Sequence, residues 1–176
     1  MGCFSALSYM KKVRNMRILS MDQSTRITGW SLFQDSKYAK SGVIDLHKIK
    51  DTDERSKQMG LEMCKLIEEY KPDEIVIEEV AMQSNINTLK KLARIQGMAI
   101  GFATAHNIPT HILEPSKWRA ALKFVQGPKV KREELKQQSR DFVKNTLGLN
   151  IDSEDENEAT AINEAAHRIY GFDDEI

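Results

Sequence analysis

Cysteine is nearly absent from this chain of 176 residues; Cys3 and Cys64 are the two. Two such cysteines supply neither a disulfide framework nor the paired spacing of a zinc site. Cys64, set among apolar helical positions, reads as a small core residue, and a reducing cytoplasm is the expected compartment. Long apolar runs are also missing. No stretch approaches the ~20 residues that span a bilayer, so no membrane association is expected. The opening "MGCFSALSYMKKVRNM" places its basic residues after its apolar part, the reverse of a secretory signal. It carries Ala6 where the myristoylation pattern wants Ser or Thr. With Met10 and Met16 as internal starts, residues 1–16 are expected to be a leader outside the fold, and 17–176 a single domain. Glycine and proline are sparse, at 9 and 4, and the glycine-rich phosphate loops of an actin-like ATPase are not found. Net charge is missing too. The 26 Lys and Arg balance 26 Asp and Glu, so the total gives no argument for a polyanionic partner.

What is present is an ordinary globular composition, 40% hydrophobic and 30% charged, with its charge unevenly spread. Residues 116–144 hold nine Lys/Arg against three acids, and 151–176 hold nine acids against one Arg. Such asymmetry either separates a polyanion-facing surface from a cation-binding one or marks two solvated faces.

The hydrophobic pattern sets the order of elements. "MRILSMD", "ITGWSLF" and "KYAKSGVIDL" read as three β-rich segments joined by short turns, hence antiparallel neighbours. Met59, Met63, Leu66, Ile67 and Tyr70 then recur at helical spacing until Pro72 stops the helix. "DEIVIEEV" is a buried-type strand, "NTLKKLARIQGMAIGFATAH" a long helix, "THIL" a short strand and "PSKWRAAL" a short helix begun by Pro115. A charged helix is expected over 129–146 and a last one from about 155 to 170. Three meander strands followed by alternating helix and strand predict an α/β fold with a mixed sheet flanked by helices.

The acids fall at element ends. Asp22 closes the first strand and Glu78, with Glu79 beside it, the fourth. If these strands are parallel neighbours, Asp22 and Glu78 leave the same sheet edge, where open α/β sheets bind ligands. Alternation forbids both Glu78 and Glu79 from facing one site along a strand, without choosing between them. Asp155 and Glu158, three apart, share one face of the last helix. Converging carboxylates repel and resist ionising, and a hard divalent cation relieves that repulsion through oxygen ligands. Each acid has a plainer reading. Asp22 could bond amides of the "DQST" turn, Glu78 and Glu79 could be an exposed strand end, and acids favour helix N-termini in any case. Glu154 and Glu156 need no more than that.

The order of these motifs resembles the RuvC-type Holliday junction resolvases of the RNase H-like superfamily, from about Arg17 to Tyr170, in a compact, phage-like form. The resemblance rests on "SMDQSTRITGW", "PDEIVIEEV", "LARIQGMAIGFATAHNIP" and "DENEATAINEAAH". It implies an RNase H-like fold, a five-stranded mixed sheet with three antiparallel meander strands and then parallel ones. It implies that Asp22, Glu78, Asp155 and Glu158 are catalytic acids binding Mg²⁺, two ions in number, with Mn²⁺ able to substitute. It further implies a homodimer that cuts four-way DNA junctions symmetrically, leaving 5′-phosphate and 3′-hydroxyl ends. The chain departs from the family in having Glu158 where many relatives have Asp and "DQST" where Asp-Pro-Gly is commoner. It has Ala81, with Met82 beside it, where some relatives place an aromatic wedge. Phosphate contacts are expected from Arg26, Lys117, Arg119, Lys129, Lys131 and Arg132, and the resemblance makes Lys131 the basic catalytic residue near the scissile phosphate. Gly97 and Gly101, four apart on the long helix, mark a close contact with the sheet or with a partner helix. Trp30 and Trp118 read as packing residues, and His167 as a cation at a helix C-terminus. Rival readings are a nuclease for other branched DNA or RNA–DNA hybrids, and a junction-binding module with weak chemistry.

Overall fold

Strand β1 (Arg17–Asp22) carries four consecutive buried residues, Ile18 to Met21, and so needs neighbours on both edges and cover on both faces. Strand β2 (Ile27–Gln34) pairs with it antiparallel, and β4 (Glu74–Glu78) pairs parallel on the other side. Strand β3 (Lys37–Asp45), largely exposed, continues the meander, and β5 (Thr110–Leu113) runs parallel to β4. The order is β3-β2-β1-β4-β5. This is the five-stranded mixed sheet expected, in a computed structural model that describes residues 16–81 and 85–172.

Alternation sorts the strand residues onto two faces. Leu19, Met21, Trp30, Leu32, Ile75 and Ile77 pack with helices α1 (Thr52–Tyr70) and α2 (Ile86–Ala105). Ile18 and Val76, joined by Leu113, pack with α3 (Pro115–Ala121), α4 (Arg132–Thr146) and α5 (Glu154–Tyr170). Each fully buried large side chain contributes about 1.5–3 kcal/mol, so both faces are held firmly. The same parity puts Ser20, Asp22 and Glu78 on the α5 side.

Local signals fix the helix ends. Asp51 caps α1 by accepting from Asp53 N and Glu54 N, ahead of the apolar pattern that begins at Met59, and Lys71 closes it in a left-handed conformation before Pro72. The helix expected over 129–146 starts at Arg132, because Lys131 is extended (φ −76°, ψ 156°) and follows the Gly127–Pro128 turn. Lys129 and Lys131 therefore lie outside it.

Trp30 packs on Tyr70 and over Gly42, as a core residue should. His167 departs from expectation. It is only 8% exposed, its Nδ1 donates to Asn163 O at 2.9 Å, and its ring lies between Phe33 and Phe172. It is a packed residue in the last turn of α5, not a solvated one. A side chain added at Gly97 or Gly101 would meet nothing within 4 Å, so neither contacts the sheet. Of residues 1–16 only Met16 is described, its N–H donating to Asp35 Oδ1 at 2.9 Å; Met82 also lies outside the described residues. Among the described residues no helix is long and apolar enough to cross a membrane.

Candidate active site

The parallel register of β1 and β4 pairs Met21 with Ile77, and the next step along both strands sets Asp22 beside Glu78. Asp22 does not serve the turn that follows. The Ser24 hydroxyl accepts from Arg26 N and Ile27 N at 3.1 and 3.0 Å, and Thr28 Oγ1 accepts from Ser24 N at 3.1 Å. Buried Arg55 adds a bond from Nε to Thr25 O at 2.8 Å. With the amides of Ser24, Arg26 and Ile27 bonded to hydroxyls, the Asp22 carboxylate faces the cleft. Glu78 is fixed through its backbone, whose carbonyl accepts from Gln96 Nε2 at 3.1 Å and Gln23 Nε2 at 3.4 Å.

Helix α5 is docked as a unit. Asn163 Nδ2 donates to Ile18 O and Ser31 O at 3.0 and 2.9 Å, and Ser20 Oγ donates to Ala159 O at 2.7 Å. Its first turn lies directly on β2, since a Cβ on Gly29 would sit 1.9 Å from Asp155 O. Ser153 caps the helix by accepting from Glu156 N at 3.3 Å. Glu154 pairs with Lys136 at 2.6 Å and Arg140 at 3.0 Å, tying α5 to α4. Glu156 accepts from Ser41 Oγ at 2.5 Å, tying it to β3. These two acids thus do more than decorate a helix dipole. They hold the turn that presents Asp155 and Glu158.

Asp22, Asp155 and Glu158 offer carboxylate oxygens all within 4.8 Å of one another. Glu78 joins them through a hydrogen bond to Asp22. Burial raises the pKa of all four, and the neighbouring Glu78, Glu158 and Asp155 add to the rise at Asp22. Two residues of α3 oppose the rise at Glu78. Trp118 Nε1 donates to Glu78 Oε1 at 2.7 Å, and Arg119 Nη2 stands 3.9 Å from that oxygen and 4.0 Å from Glu158 Oε1. Oxygen donors that resist ionising until a cation arrives are the donor set of a hard divalent metal. The cluster of Asp22, Asp155 and Glu158 fits such an ion.

The acids line a cleft of about 430 Å³ whose rim includes Gln23, Ser24, Thr25, Arg119 and Arg132. Of the six basic residues picked from the sequence, Arg119 and Arg132 reach its wall. Arg26, Lys129 and Lys131 are exposed nearby in the chain, and exposed Lys117 stands 3.7 Å from Glu114. Glu79 lines the cleft as well as Glu78, contrary to strict alternation, because β4 ends at Glu78; its Oε1 turns back to accept from Val80 N at 2.7 Å. Sequence reasoning missed the indole of Trp118 as a partner of Glu78, and missed Gln23 and Gln96. A single hint existed, the adjacency of Trp118 to a basic residue after a strand end.

Comparison with known proteins bears on the fold and the family. The model of the crossover junction endodeoxyribonuclease RuvC family matches residues 18–166. RuvC of Trichlorobacter lovleyi is 29% identical over 152 residues, covering 84% of this chain and 82% of that protein. RuvC of Shewanella frigidimarina is 36% identical over 96 residues, 52% of this chain and 55% of the relative. Thermus thermophilus RuvC, solved in complex with a Holliday junction substrate, superposes with a TM-score of 0.71 over 89% of this chain and 95% of its own, at 15% identity. A fowlpox virus resolvase solved with Holliday junction DNA gives 0.54 over 88% and 93%, at 17% identity. At such identity the solved structures speak to the fold, and it is the family match over most of the length that places the chain: it belongs to the crossover junction endodeoxyribonuclease RuvC family.

Proposed function

We propose that this chain is a Mg²⁺-dependent endonuclease that resolves four-way DNA junctions in the cytoplasm by symmetric phosphodiester hydrolysis. The observation that carries the proposal is the convergence of Asp22, Glu78, Asp155 and Glu158, from three separate elements, at one end of the sheet. Two bound Mg²⁺ or Mn²⁺ ions would supply an activated water and charge stabilisation at the leaving oxygen. The chain's own residues hold and orient. Asp22, Glu78, Asp155 and Glu158 carry the oxygen ligands, Trp118 and Gln96 fix Glu78, and Arg119 and Arg132 face an incoming phosphate from the cleft wall. Arg26, Lys117, Lys129 and Lys131 extend the cationic path on which released counterions supply affinity. The exposed, side-chain-free face at Gly97 and Gly101 of α2 suits the close approach of a second copy of the chain, and a homodimer would cut two strands symmetrically.

The decisive assay is cleavage of a synthetic four-way junction with and without Mg²⁺, beside flap and RNA–DNA hybrid substrates. Symmetric cuts on the junction alone, leaving 5′-phosphates, are expected with Mg²⁺ and none in EDTA. Asp22→Asn should abolish cutting and spare junction binding. Equal rates on all three substrates would favour a broad branched-nucleic-acid nuclease, and cutting in EDTA would refute the metal mechanism.

A further inference from the structure

We infer that Trp118 is a positioning residue for the metal site, its indole N–H fixing the orientation of the Glu78 carboxylate. Trp118 has no exposed surface. A buried indole must place its single N–H donor on an acceptor, and a core tryptophan ordinarily finds a backbone carbonyl or water. This one is aimed at a carboxylate oxygen, Glu78 Oε1, at 2.7 Å. Phe124 packs against the indole edge-on with centroids 5.7 Å apart, Phe142 backs Phe124 at 5.9 Å, and the Arg119 guanidinium lies over the indole, 4.9 Å from the ring centroid. The same guanidinium meets Glu78 at the same oxygen, 3.9 Å away.

Both contacts thus fall on Oε1, and the carboxylate cannot rotate without breaking them. Glu78 is the last residue of β4 and still pairs with Leu113 of β5, so the sheet holds its backbone and not its carboxylate. Its carbonyl is held by Gln23 and Gln96, which fixes the backbone alone. The side-chain torsions are set by the indole. This resembles the outer-sphere partners that orient metal ligands, whose loss costs about 10–100-fold in metal affinity or activity. The inference rests on the metal-site reading above and deepens it, since Trp118 touches neither substrate nor metal.

Trp118→Phe deletes the N–H while keeping most of the ring, and Phe124→Leu loosens the packing of the same ring without touching Glu78. The measurement is the Mg²⁺ and Mn²⁺ concentration that half-maximally raises the unfolding temperature of the whole protein, with cleavage run in parallel. Trp118→Phe is expected to raise that midpoint by about 10-fold or more, and Phe124→Leu to lower the unfolding temperature in EDTA with the midpoint unchanged. As a check needing no folded variant, the indole N–H resonance of Trp118 in the native chain should move on adding Mg²⁺ with the same midpoint, while that of Trp30 stays put. A Trp118→Phe curve superimposed on the native one, an equal shift from Phe124→Leu, or a Trp118 resonance indifferent to Mg²⁺ would each overturn the assignment. A native protein that shows no metal response at all would instead overturn the metal-site reading, and the role of Trp118 with it.

Discussion

Glycine at position 29 shows how much one missing side chain contributes at this site. β2 passes beneath the first turn of α5 so closely that a methyl group there would sit 1.9 Å from the Asp155 carbonyl oxygen. The obstacle is backbone, held from above by the Ser153 cap and the Glu154 and Glu156 ties, and it cannot swing aside. Gly29→Ala must therefore lift the turn that carries Asp155 and Glu158. Overpacking of this kind costs about 1–3 kcal/mol, a loss of roughly 2–4 °C in unfolding temperature per kcal/mol at this chain length. Misplacement by about 1 Å costs on the order of 100-fold in rate. Gly29→Ala should thus lose cleavage out of proportion to stability, measured by melting and junction-cutting rates on one preparation. A rate that falls only with the folded fraction would show that the turn absorbs the change. The acids themselves were legible as residues, because element ends and the three-residue spacing of Asp155 and Glu158 mark them. Gly29 was legible only as part of a motif. Nothing in "ITGWSLF" says which helix passes over it.

At the scale of elements, α5 carries two of the four acids and its docking decides where they point. Sequence periodicity placed this helix within a residue of its true start, and it placed the five strands and the long helices with similar fidelity, because their apolar faces are regular. It could not reveal what anchors α5. Asn163 reads as one polar residue in an alanine-rich run, yet it is fully buried and bridges Ile18 O and Ser31 O. That bridge spans more than 130 positions of chain, a separation no local pattern encodes. The expected start of α4 failed for the opposite reason. Lys129 and Lys131 suit a charged helix by composition, but the extended backbone at Lys131 ends the preceding turn. Asn163→Leu keeps the γ-branched shape and removes both donated bonds, leaving Ile18 O without that partner inside the core. The cost should be about 1–3 kcal/mol, seen as a lower denaturant midpoint with an unchanged slope. Recovery of the native midpoint in that variant would mean that apolar packing alone seats the helix.

For the whole molecule, a net charge of zero conceals a separation of charge that makes stability depend on pH in a particular direction. Burial raises the pKa of Asp22, Glu78, Asp155 and Glu158 above their unfolded values, and mutual repulsion adds to it at Asp22 and Glu158. A group that binds its proton more tightly when folded stabilises the fold below its unfolded pKa and loses that contribution as pH rises through the folded one. Elsewhere the sign is reversed. Glu154, hydrogen-bonded to Lys136, and Glu62, hydrogen-bonded to Lys65, have lowered pKa values, so their contributions vanish as pH falls below the ordinary carboxylate range. Both are largely solvated pairs, whose worth is small. In EDTA the unfolding temperature should therefore fall as pH climbs from about 4 toward 8, the carboxylate range upward. Asp22→Asn, which removes one charge from the cluster, should flatten that fall and melt no lower than the native chain near neutrality. Mg²⁺ should restore the loss, increasingly so at higher pH, because carboxylates must shed their protons to bind it and ligand bound only by the folded state stabilises it. A native curve in EDTA that rises across this interval would show that the four acids are solvated rather than gathered into one site. One that falls, and is rescued by Mg²⁺ only while Asp22 is present, ties the charge separation of the whole chain to the cation its acids are placed to hold.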